Sequence, residues 1–105
     1  MQSMHFIAQF FAGAFLVNCV PHLASGLMGQ PFPSPFAKPP GVGNSAPMVN
    51  FFWGLFNLLA GLVLLKISPV SVGLNSEFVV FLIGVTVLGT LLARHFGAVT
   101  SKRQR

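Results

Sequence analysis

Three apolar runs, each about as long as a bilayer is thick, alternate with two polar interruptions along this chain. The runs cover about residues 4–28, 48–67 and 78–96. A bilayer core takes about 20 helical residues, so each run is expected to be a transmembrane helix. The first interruption, residues 30–47, carries Pro31, Pro33, Pro35, Pro39, Pro40 and Pro47. Proline fixes its own backbone angle and biases its predecessor toward extended structure. A stiff, non-helical loop outside the hydrocarbon is therefore expected, with Pro47 suited to the first turn of the second helix. Phe32 and Phe36 place that loop on the membrane surface or over the helix ends. The second interruption is short. Asn75 or Ser76 is expected to cap the third helix, with Glu77 in its first turn. The pattern predicts an all-α integral membrane three-helix bundle in a single transmembrane domain, followed by a basic tail over residues 97–105.

Composition supports a membrane location. Of 105 residues 53% are apolar and 7% charged, with Glu77 the single acid; a water-soluble domain carries about 25% charged residues. The net charge of +5 does not point to nucleic acid, because the basic residues form no face interleaved with aromatics. Arg94, Lys102, Arg103 and Arg105 gather near the end, as a juxtamembrane anchor would. The first run lacks a preceding Lys or Arg and is too long for a signal core, so an uncleaved helix is expected. Three spans put Lys38, Arg94, Lys102, Arg103 and Arg105 on one side and Lys66 on the other. The positive-inside rule then gives an outside N-terminus and a cytoplasmic C-terminus.

Polar residues within the spans carry the remaining information. At 100° per residue, Asn18, His22, Ser25 and Gly29 share one face of the first helix. Asn50, Gly54, Asn57 and Gly61 share one on the second, with Trp53 at its edge. Thr86, Thr90, Ala93 and Gly97 share one on the third. Small residues permit close helix approach and polar ones bond across it, so these stripes are expected to form the bundle's seam. Asn18, His22, Asn50, Trp53, Asn57, Arg94 and His95 all lie toward the loop end of their helices. They are expected to meet beneath the loop, with Phe32, Phe36 and Lys38 above them. The opposite half offers only His5 and Gln9, so polarity is expected to be one-sided. Pro21 removes a hydrogen bond to the Val17 carbonyl and would either kink the first helix, opening a small cavity below the loop, or end it near Cys19.

Candidate chemistry is sparse. His22 is a strut, a proton acceptor or a ligand, with Cys19 one turn away, but a metal site needs at least three convergent ligands. No metal and no cofactor are expected. There is no nucleophile–base–acid set, no paired carboxylate and no phosphate loop, so nothing positive signals an enzyme. Cys19 is the only cysteine and reads as a packing residue.

Three strings, running from Asn18 through Pro21-His22 to Gly29, from Phe32 to Gly43, and from Asn50 through Trp53-Gly54 to Asn57, carry a resemblance. Together they resemble a family of short, uncharacterised bacterial inner-membrane proteins with an Asn-x-x-Pro-His segment, a Pro-rich loop and a Trp-Gly-x-x-Asn segment. The resemblance covers about two-thirds of the chain. It implies a bacterial inner membrane and no activity. The expected function is a non-enzymatic membrane component, embedded in the lipid bilayer, that forms a homo-oligomer or binds another membrane protein. A channel or small-solute transporter lined by Asn50, Asn57 and His22, and a cofactor protein or enzyme subunit using His22 and His95, are the alternatives.

Overall fold

The computed structural model describes residues 2–103. In chain order it contains α1 (Gln2–Leu27), β1 (Phe32–Pro33), β2 (Asn44–Ser45), α2 (Pro47–Ile67) and α3 (Ser76–Arg103). Each helix is long and apolar enough to cross a membrane, which is the make-up of a multi-pass membrane protein. At 1.5 Å per residue even α2, with 21 residues, spans about 30 Å, the thickness of a hydrocarbon core.

Local chemistry sets the helix ends. Gly29 adopts φ +70, and Gln30 N–H donates to Ser25 O at 2.8 Å, closing α1 with a left-handed residue that glycine adopts without a steric cost. Gly29 is therefore a cap outside the helix and not part of a seam. Pro21 lies inside α1, and the helix runs on past it to Leu27. Pro47 opens α2 at its first position. Asn75 caps α3, its Oδ1 accepting from Phe78 N–H at 2.8 Å, with Glu77 in the first turn. The third helix also outlasts its apolar run. It extends through most of the expected tail to Arg103, where Lys102 and Arg103 suit the negative end of its dipole. Arg105 lies outside the described residues.

The loop between α1 and α2 folds as a small hairpin. Phe32 pairs with Ser45 and Pro33 with Asn44 in a two-residue antiparallel ladder. The Ser34 and Ser45 hydroxyls share a hydrogen bond at 2.6 Å, and Ser34 O accepts from Gly41 N–H at 2.8 Å. The prolines exclude helix here, while the Gly41 N–H to Ser34 O bond pairs backbone groups that the ladder leaves over.

Helix α1 packs between the other two, and α2 and α3 barely touch one another. Glycines explain both contacts. A Cβ on Gly26 would lie 2.7 Å from Phe51 N, and one on Gly54 2.8 Å from Leu23 Cγ, so α1 and α2 approach to backbone contact. On the other flank, Gly13 abuts the Phe81 carbonyl and Gly84 the Phe10 carbonyl. The α2 stripe of Asn50, Gly54, Asn57 and Gly61 is buried as its spacing predicts.

The α3 stripe is a correction. Thr86, Thr90, Ala93 and Gly97 are all exposed, and no atom comes within 4 Å of a Cβ built on Gly97. The inward face centres on Gly84 and Val99, almost on the opposite side of the helix. Periodicity identifies residues that share a face; lipid is as apolar as a helix interface, so it does not say which face turns inward.

Candidate functional site

Asn50 organises the hairpin end. It is fully buried, one turn into α2. Its Nδ2 faces three carbonyl oxygens, Phe32 O at 2.9 Å, Ser45 O at 3.3 Å and Ala46 O at 3.4 Å. Carbonyls only accept, so the amide orientation is determined and Oδ1 is left as the acceptor. His22 Nδ1 lies 2.7 Å from that oxygen and must be the donor. The imidazole is thereby held with its proton on Nδ1 and the Nε2 lone pair free.

Rings close around it. Phe32, Trp53 and Phe96 present edge-on geometry to His22 at centroid distances of 5.6, 6.3 and 6.2 Å, and Phe32 and Phe96 touch at 4.7 Å. These rings pack directly around the imidazole. A groove of about 630 Å³ lies beside them, on the outer surface, lined by Phe36, Met48, Val49, Phe52, Trp53 and Phe56.

A second polar pair lies one to two turns deeper. Asn18 Nδ2 donates to Asn57 Oδ1 at 2.9 Å, and Asn57 Nδ2 donates to Trp53 O at 2.8 Å. Asn57 is 1% exposed. Buried amides left without partners are costly, and here both are used within the chain. The Trp53 indole Nε1 is the exception, buried without a hydrogen-bond partner.

The structure thus brings Asn18, His22, Asn50, Trp53 and Asn57 together, with Phe32 from the hairpin. Phe36 contacts the outer edge of Trp53 at 5.3 Å. Lys38 and Arg94 are exposed and stand apart. His95 is also exposed and turns to the hairpin, where its Nε2 donates to Gly41 O at 2.6 Å. Phe96, its neighbour, occupies the position against His22. Sequence reading missed Phe96 because an apolar residue in an apolar helix carries no contrast. Beyond His95, Arg103 donates to Asn44 Oδ1 at 2.6 Å and to Val42 O. The end of α3 is thereby tied to the hairpin. Cys19 is buried, its thiol donating to Leu16 O at 3.0 Å. Among the described residues no three His, Cys, Asp or Glu side chains gather closely enough to hold a metal ion.

Polarity is less one-sided than the sequence reading expects. At the far end His5 Nδ1 and Ser68 Oγ share a hydrogen bond at 2.5 Å, and Gln9 Nε2 donates to Pro69 O at 3.2 Å. These contacts join residues 60 or more positions apart, which no helical spacing could reveal. Comparisons of the chain with protein families, with curated proteins and with solved structures give no match.

Proposed function

We propose that the protein is a small component of a bacterial inner membrane, N-terminus outside and C-terminus cytoplasmic, which works by associating with copies of itself through the outward face of α3. One observation carries this reading. Thr86, Thr90, Ala93 and Gly97 form a continuous small-residue face on a helix that has only Gly84 and Val99 buried within the chain. Small residues let helix backbones approach, and threonines bond across the contact. Within α3's most apolar stretch 6% is buried, against 33% in α1, so α3 offers the largest free face.

The channel reading is less well supported. Asn50, Asn57 and His22 bond one another, or residues of the same protomer, and are 2% exposed or less. They have little left to offer a moving solute. The cofactor reading rests on the free Nε2 of His22 alone. A metal or visible signal that co-purifies with the protein and is lost in His22→Ala would establish it.

Native mass measurement of the purified full chain tests the leading reading. Oligomers are expected from the wild type, shifting to monomer in Thr90→Leu and Gly97→Leu. A wild-type chain that is monomeric, with no co-purifying protein, contradicts it.

A further inference from the structure

The end of the molecule opposite the hairpin has an open polar pocket of about 460 Å³, lined by the start of α1, the α2–α3 link and the start of α3. His5, Gln9, Ser68, Asn75 and Glu77 are among its walls. Several are already committed. His5 bonds Ser68, Gln9 Nε2 bonds the Pro69 carbonyl, and Asn75 caps α3. These bonds alone would make the cluster a pin between helix ends, with Glu77 balancing the α3 dipole.

Two groups exceed that role. Gln9 is 2% exposed and its Oε1 has no hydrogen-bond partner, a costly state for a buried amide. Glu77, the only acid in the sequence, stands at the same pocket, whose walls include no Lys or Arg among the described residues. Gln9 Oε1 and the Glu77 carboxylate are acceptors, one of them charged, while the exposed Gln2 and Ser71 side chains at the same pocket can donate as well as accept. An anion is disfavoured by this set. A hard metal cation would want six or more oxygens, and among the described residues lining the pocket only His5 and Glu77 are of the His, Cys, Asp or Glu types. A quaternary ammonium would want aromatic faces, and among the described residues no Phe or Trp lines the pocket.

We infer that this pocket binds a primary ammonium group, which donates N–H bonds to the Glu77 carboxylate and to Gln9 Oε1. The group comes either from the headgroup of an ethanolamine lipid or from a free amine. The inference is independent of self-association through α3.

The test uses the full-length chain in nanodiscs. In one arm ethanolamine is titrated calorimetrically into protein held in phosphatidylglycerol. In the other, native mass spectrometry reads which lipid is retained from equal parts phosphatidylethanolamine and phosphatidylcholine. Binding in the first arm identifies a free amine, and enrichment of phosphatidylethanolamine in the second identifies the headgroup. In either arm Glu77→Gln is expected to weaken binding about tenfold, as loss of a charge-assisted bond requires. Gln9→Leu, which keeps the charge, is expected to weaken it less. Circular dichroism confirms that both variants retain their helices. Binding in neither arm, or binding unchanged in Glu77→Gln, overturns the inference.

Discussion

His22 Nδ1 lies 2.7 Å from Asn50 Oδ1, and the opposite edge of the Asn50 amide faces the carbonyls of Phe32, Ser45 and Ala46. One side chain therefore joins α1, the hairpin and the first turn of α2. In Asn50→Leu the imidazole donor loses its partner, and the Phe32 carbonyl keeps only its bond in the ladder. A loss of about 1–3 kcal/mol is expected from one buried unsatisfied group, measured by reversible unfolding in detergent. Asn50→Asp is expected to be no better, because a carboxylate cannot donate to three carbonyls. Asn18→Ala, at a half-buried bond, is expected to cost about 0.6 kcal/mol.

The same geometry determines the His22 tautomer. Nitrogen-15 spectra of imidazole-labelled protein should show a protonated Nδ1 and a bare Nε2 at neutral pH. In Asn50→Leu the preference should weaken. A wild-type spectrum with the proton on Nε2 contradicts the assigned amide orientation.

Glycines on α1 and α3 play two separate roles. In Gly26→Ala the new methyl meets Phe51 N at 2.7 Å and Pro47 O at 2.8 Å, both backbone atoms that no rotamer change relieves. Overpacking of this kind costs about 1–3 kcal/mol, and the hairpin should loosen with it. Gly97→Ala meets nothing within 4 Å and should leave the stability of the single chain intact.

The end of α3 holds the hairpin through His95 and Arg103. Replacing both with alanine removes bonds worth about 0.5–1.5 kcal/mol each. Hydrogen exchange is expected to quicken in residues 30–47 while the helical circular dichroism is unchanged. Unaltered exchange there would show that the hairpin stands without α3.

Much of this is legible in the sequence. Proline density marks a stiff, non-helical loop, though not its hairpin pairing, and the spacing of Asn50, Gly54, Asn57 and Gly61 marks the buried face of α2. Asn18 and His22 stand out because an amide or imidazole in lipid needs a partner. Other features carried no such signal. Phe96 and Phe32 are apolar among many apolar residues, and the bonds of His5 and Gln9 to the α2–α3 link depend on tertiary approach. The outward turn of Thr86 and Thr90 follows from where Gly13 and Gly84 let α1 and α3 meet, a choice made by packing.

The most direct test of the proposed role is cysteine crosslinking in native membranes. Ala93→Cys lies on the outward face of α3, and Val63→Cys, 56% exposed in the native residue, lies on the free face of α2. The wild type is the control, because Cys19 is buried. Oxidation is expected to give disulfide-linked dimers of Ala93→Cys and none of Val63→Cys or the wild type. Failure of Ala93→Cys to crosslink, or equal crosslinking at both positions, would contradict association through α3.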